Sequence, residues 1–220
     1  MTFLELVNAV RRECSVSGSG VTTVLNQTGE SKRLVQWVQQ AHEDIQNYFF
    51  DWRFLKKDSS FVTQTTTNII QPASDLNIWD LERIYDADGN QMEVVEYADV
   101  PERVDTSVTG KPTRFVLKND NTLQADPYPD AAYTYYYDYF RKPYVMVADT
   151  DTPLFPAHYH RVIVGRAMVY YGNYESAPEI KQQGMDMYQY ILKKLTDNQT
   201  ASKQQFYGRS DSMPIKVVAE

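Results

Sequence analysis

Three histidines, one cysteine and a surplus of carboxylates are the side chains in these 220 residues with reactive chemistry, and their spacing sets what they could do. His158 and His160 stand two apart, a separation that shares a face on a strand and diverges on a helix. The surrounding pattern puts them at a helix start with no third ligand at metal spacing, so no metal site is expected. His42 sits beside Glu43 and Asp44 on a helix and reads as part of a solvated face. Asp86-Ala87-Asp88-Gly89-Asn90 looks like the opening of a calcium loop, but Gln91 stands where such a loop needs glycine and Tyr97 where it needs glutamate. A hairpin turn is the better reading. Cys14 is alone, which excludes an intrachain disulfide and a thiolate cluster and suits a reducing cytoplasm. Phosphate-cradling glycine loops, a GxSxG elbow and an HExxH pair are missing from the sequence. Carboxylates abound, but whether two face each other across a cleft is decided by tertiary structure. From these residues an enzyme is not expected.

Twenty-nine acidic against twenty-two basic side chains give a net charge of −7, the wrong sign for wrapping a phosphate backbone. The same surplus suits a wall that DNA slides past, since repulsion acts over a Debye length of about 8 Å at physiological salt. Apolar residues at 42% and charged residues at 23% are ordinary globular usage, so a folded core is expected. The apolar stretch at 162–171 contains Arg166 and falls short of the roughly 20 residues a membrane-spanning helix needs. Glu5, Arg11, Arg12 and Glu13 interrupt the apolar positions of the first residues, unlike a secretory signal.

The elements that must position these groups follow from periodicity. Thr2 with Glu5 forms a capping box ahead of Phe3, Leu6, Val7 and Val10 at helical spacing. Residues 15–29 read as a loop. A second helix over 30–48 carries Leu34, Val38, Ala41 and Ile45 on one face, with Gln36, Gln39, Glu43 and Gln46 mostly away from it. Phe49, Phe50, Trp52 and Phe54 then form an aromatic group that reads as a core plug. From 59 to 147 the texture is β-branched and aromatic. Residues 81–85 and 92–97 read as one hairpin around the Asp-Gly turn, and residues 114–117 and 122–125 as another. Residues 126–130, with two prolines, read as a rigid turn. Tyr133, Tyr135, Tyr137 and Tyr139 fall on one side of the last strand, a face that either packs as half-buried sheet or meets another protein. Helical spacing returns after Pro156 and runs to Gly172, and Ser176 with Glu179 reads as a second capping box for a fourth helix ending near Asp197.

The economical fold is α+β: a four-helix bundle-like domain (1–53 plus 154–197), an inserted antiparallel β-rich domain (54–153) and an extended C-terminal arm (198–220). Phe206, Tyr207, Ile215, Val217 and Val218 are apolar points on that polar arm and are candidate docking anchors.

Certain local strings go further than periodicity. Residues 1–6 (MTFLEL) with Arg11, 17–20 (SGSG), 27–30 (QTGE), 34–38 (LVQWV), 45–46 and 51–55 (DWRFL), then 110–115 (GKPTRF), 127–133, 139–143 (YFRKP) and 155–161, resemble the head-to-tail adaptor or connector proteins of podovirus-type bacteriophages. The resemblance covers about 1–197. It implies a virion subunit of a ring, usually dodecameric, docked beneath the portal protein, carrying tail nozzle or fibre proteins and letting DNA pass without specific binding. It implies no catalysis, cofactor or membrane. A tail-associated module binding a receptor or glycan through the tyrosine face is the alternative from another class, and a cryptic hydrolase ranks third.

Overall fold

The computed structural model describes residues 1–99, 105 and 107–200. The described residues divide into two compact units: Met1–Phe54 together with 144–200, and the insert Leu55–Pro143.

The first unit is helical. Helix α1 (Phe3–Glu13) opens with the expected capping box: Glu5 N–H donates to Thr2 Oγ1 at 3.2 Å, and Thr2 N–H to the Glu5 carboxylate at 2.9 Å. It is followed by α2 (Gly29–Tyr48), α3 (Arg161–Tyr174) and α4 (Pro178–Gln199). Helix α3 is buried on most sides, through Val162, Ile163, Val164, Ala167, Met168 and Val169, and packs on all three of the others. Its seam with α4 has no room for side chains. A Cβ added at Gly165 would lie 2.8 Å from the Tyr188 nitrogen, one at Gly172 2.7 Å from the Lys181 nitrogen, and one at Gly184 2.8 Å from the Gly165 carbonyl oxygen.

The turn between α3 and α4 departs from expectation. Ser176 is no cap: it takes a left-handed φ of 53°, Ala177 precedes the helix, and Pro178 fills the first turn. The chain reverses between two helices in backbone contact, and the Ala177 N–H is used to close α3, donating to Gly172 at 2.9 Å. Pro156 likewise precedes a 3-10 turn (Ala157–Tyr159) rather than α3 itself.

Among its described residues the insert holds three sheets. Strands β1 (Lys56–Val62), β9 (Thr134–Arg141) and β3 (Leu76–Asp86) form an antiparallel sheet in the order β1-β9-β3. Strands β2 (Ile69–Ile70), β7 (Leu123–Asp126), β6 (Arg114–Leu117) and β4 (Glu93–Glu96) form the second, and β5 (Thr109–Gly110) with β8 (Tyr128–Pro129) the third. The expected 114–125 hairpin is β6 and β7 in antiparallel register. The antiparallel expectation fails at two pairs, β4 with β6 and β5 with β8, which are parallel. The turn after β3 starts as a hairpin, with Met92 N–H donating to Ile84 at 2.8 Å, but β4 then leaves β3 for the other sheet. Val94 gains a place against the core by that departure. The proline turn at 126–130 contributes a short strand, β8.

Candidate functional site

The expected tyrosine face is the core of the insert. Tyr135, Tyr137 and Tyr139 are almost fully buried with Trp79, Ile84, Phe115 and Leu123, while Tyr133 packs at its margin. Phe61 stacks on Tyr135 with ring centroids 5.4 Å apart, and Phe115 meets Tyr135 edge-on at 5.0 Å. The phenol groups are placed as well: Tyr135 donates to the Pro112 carbonyl at 2.8 Å and Tyr139 to Asp75 at 2.8 Å. As an interaction face Tyr135, Tyr137 and Tyr139 are therefore corrected. Three are closed to a partner, because β1 and β3 flank β9 and the second sheet supplies Phe115 and Leu123 against its inner side.

The acidic turn is a structural lock. Asp86 is buried, and its carboxylate accepts from the Asp88 and Asn90 main-chain N–H groups at 3.0 and 2.8 Å and from Lys111 Nζ at 2.9 Å. The Lys111 ammonium, joined by the Asn90 bonds, holds this carboxyl far below the usual range. Lys111 also reaches Asp88 at 3.3 Å. Four residues of the string at 110–115 are thereby explained: Lys111 ties the turn, Pro112 receives Tyr135, Arg114 pairs with Asp126 at 2.6 Å, and Phe115 enters the core.

In the helical unit one turn of α2 secures the chain at both ends of the insert. Trp52, fully buried, donates from Nε1 to the Ile45 carbonyl at 3.0 Å on the way out. On the return, Gln46 Nε2 donates to the Tyr144 carbonyl at 2.9 Å, and its Oε1 accepts the Tyr144 N–H at 2.8 Å. Gln39 donates to the Met146 carbonyl at 2.8 Å, and the Phe3 N–H to the Asp151 carbonyl at 2.7 Å. These bonds explain why the helical unit resumes at Tyr144, earlier than the expected 154. Trp52 stacks on Phe54 at 5.3 Å and meets Phe49 at 5.2 Å, so these three make the expected plug. Phe50 stays outside it, 59% exposed.

His42 lies one turn earlier and overturns the solvated-face reading. It is 1% exposed, with Nδ1 3.3 Å from Gln46 Nε2 and its ring 6.1 Å from Phe155 and 6.3 Å from Tyr144. Burial, with His160 nearby, pushes its pKa down to about 4, so the ring is neutral. His160 is also buried, with Nε2 3.0 Å from the Phe155 carbonyl oxygen, and burial lowers its pKa too. His158 is exposed. The spacing had the information: His42 follows Val38 by four and precedes Ile45 by three, on the buried stripe. Gln46 gave no such warning, since only tertiary packing shows that its amide meets a returning backbone.

The loop after α1 is held similarly. Asn8 Nδ2 donates to the Val21 carbonyl at 3.0 Å and its Oδ1 accepts the Val21 N–H at 2.9 Å. Arg11 donates to the Ser17 carbonyl, and its guanidinium lies against Gly18, whose φ is +90°. These contacts account for the 17–20 string. Cys14 is buried, and burial, with Glu13 and Glu30 nearby, raises its pKa to about 12, so it is an inert thiol.

Helices α2, α3 and α4 share a cation–aromatic seam. Arg166 pairs with Asp44 at 2.8 Å and lies over the Tyr170 and Tyr188 rings, and Tyr170 also donates to Asp44. Arg33 lies 4.4 Å from the Tyr174 ring centre. Among the described residues no three His, Cys, Asp or Glu side chains are grouped to hold a metal, and no helix is long and apolar enough to cross a membrane. The arm candidates Phe206, Tyr207, Ile215, Val217 and Val218 lie outside the described residues.

Interlocks of this kind fix shape. No curated protein matches the chain. The model of the SU10 adaptor protein family matches residues 1–212. The chain therefore belongs to the SU10 adaptor protein family, a family of structural phage adaptors that act through contacts with other phage structural proteins.

Proposed function

We propose that this chain is the head-to-tail adaptor of a podovirus-type virion, a ring subunit, dodecameric in number, that sits between the portal and the tail nozzle or fibres and provides a conduit for DNA. Family membership over residues 1–212 is the observation that carries this reading. Charge supports the conduit. Residues 55–143 hold fifteen acidic and nine basic side chains, so most of the chain's acidic surplus sits in the insert, at the tail-facing end of the passage. A wall of that sign repels phosphates and lets them move. The helical unit lines the ring and the insert faces the tail. The arm from 198 to 220 docks on the portal through Phe206, Tyr207, Ile215, Val217 and Val218, apolar anchors on an otherwise polar segment. Receptor binding through the tyrosine face loses its motive, because that face is core.

Mixing the chain with its cognate portal and imaging the product is the direct test. A closed ring on the portal is expected, and loss of portal pull-down when the chain ends after Thr200. A portal left bare at micromolar concentrations of the full chain would refute the reading. Tight binding of the ring to duplex DNA at moderate salt would refute the conduit.

A further inference from the structure

Two strand edges of the insert flank one cleft. β1 is the outer strand of its sheet and β2 the outer strand of the next. A bridge between Gln64 and Thr67 turns the chain from one to the other, and beside it opens a cleft of about 370 Å3 lined by Phe61, Val62, Thr63, Ile69 and Ile70 among others. Antiparallel geometry fixes which groups of β1 are spare. Thr63 N–H donates to the Tyr133 carbonyl at 2.9 Å, and the same register pairs Phe61 with Tyr135 and Ser59 with Tyr137. The odd-numbered residues thus spend their main-chain groups on β9, and those of Asp58, Ser60 and Val62 point away from it. All three residues are exposed, Val62 by 53%. Among the described residues these outward donors and acceptors have no main-chain partner, and such a row is matched by one kind of protein ligand, another strand.

We propose that the free edge of β1 takes a strand donated by residues 214–218 of a second copy of this chain. The run Pro214-Ile215-Lys216-Val217-Val218 is the β-branched stretch of the last twenty residues, and it lies past the family match, which ends at 212. Alternation puts Ile215 and Val217 on the Phe61 side of the new pair and Lys216 on the Asp58 side. Asp58 has no ion pair among the described residues, so its carboxylate is open to that ammonium. Charge agrees more widely. Residues 201–220 carry three basic and two acidic side chains, against the acidic surplus of the insert. Reach is ample, because the fifteen residues from Thr200 to Ile215 span up to about 50 Å when extended. The berth holds Ile215, Val217 and Val218 until a portal competes for them. It is tested without that partner, so its failure leaves the portal reading untouched.

The test is a titration by fluorescence anisotropy. The probe is a labelled peptide of residues 211–220, and the acceptor is the full chain carrying I215D and V217D, so that its own arm does not compete. Saturable binding is expected, weakened at least tenfold by Val62→Pro, which removes one outward N–H and none that β9 uses. A second arm leaves the protein untouched: peptides N-methylated singly at 215, 216, 217 and 218. Strand pairing requires that two alternate positions lose binding at least tenfold and the two between keep it. Absent binding, or equal loss at all four positions, overturns the proposal. Sedimentation then fixes the source of the strand. The unaltered chain should self-associate with rising concentration and the I215D/V217D chain should not. An unaltered chain that excludes the peptide yet stays monomeric has folded its arm onto its own insert, and the second-copy proposal falls.

Discussion

The helical unit and the insert solve the problem of a fixed shape by opposite means. In the helical unit, α3 and α4 approach until backbone meets backbone at Gly165, Gly172 and Gly184, and long polar side chains such as Gln46 and Asn8 then staple loops to that frame. In the insert the frame is an aromatic layer on β9, and the turns are locked by charge and phenol bonds, Lys111 to Asp86 and Tyr135 to Pro112. The first device tolerates no added atom at its seam. The second tolerates small changes of volume but depends on single hydrogen bonds. Both devices hold a fixed shape, and the difference between them can be pressed by substitution.

The largest effect is expected at the seam. Gly165→Ala places a methyl group 2.8 Å from the Tyr188 nitrogen and 3.0 Å from the Gly184 carbonyl oxygen, and both are main chain. Helix propensity favours alanine by about 1 kcal/mol, but separating two packed helices costs more, so a net loss of about 3 kcal/mol is expected. Thermal unfolding followed by circular dichroism should fall by roughly 10 °C for a chain of this size. A variant as stable as the parent would show that the seam has slack.

Acid should find the helical unit next. The His42 pKa is about 4 in the folded chain against an ordinary 6.5, so the unfolded chain binds the proton first. Stability from this group is complete above pH 6.5 and is lost as pH falls toward 4, on the order of 3 kcal/mol in all. Urea titrations across that window should show the slope, and His42→Leu should flatten it. An unchanged slope would place the titration elsewhere.

What the residues disclosed beforehand follows the same division. The four helices, the capping box on α1 and the β6–β7 hairpin are written in local spacing, where propensity and periodicity act over a few residues. Ser176 is no cap because serine three residues before glutamate caps a helix only when the chain is free to extend, and here it must reverse at once. The parallel pairs β4–β6 and β5–β8 join strands that local pattern cannot relate, since the alternation of β4 is the same whichever neighbour it has. Alternation puts the four tyrosines on one side of β9, but which side of β9 meets the second sheet is a tertiary fact. Lys111 stood within the string at 110–115 without a role, because its partner is twenty-five residues back.

The staple at Gln46 ranks third. Gln46→Ala leaves the Tyr144 N–H and carbonyl without their partner and opens a small void beside His42, for a loss of about 2 kcal/mol. Hydrogen exchange separates this from general destabilisation. The Tyr144 amide should lose its protection well before the α3 amides do. Uniform loss across the helical unit would mean that the return segment is secured by its other contacts, from Gln39 and Phe3, and that Gln46 is dispensable.

The smallest effect is expected in the insert, where one oxygen is at issue. Tyr135→Phe keeps the ring that stacks on Phe61 and meets Phe115, and removes the donor to the buried Pro112 carbonyl. An unpaired buried carbonyl costs about 1 kcal/mol or somewhat more, since the ring fills the same space and only the hydrogen bond is lost. Tyr136→Phe is the control, because Tyr136 is 53% exposed on the opposite side of β9 and should change stability by less than about 0.5 kcal/mol. The two substitutions remove the same atom from adjacent residues of one strand, so backbone propensity cancels between them. Equal effects would mean that the bond to Pro112 adds nothing and that the insert rests on ring packing alone. A larger effect at Tyr135, with faster amide exchange around the Asp86 turn, would show that phenol and turn form one lock, because Lys111 and Pro112 are neighbours and a loosened Pro112 releases the ammonium from Asp86.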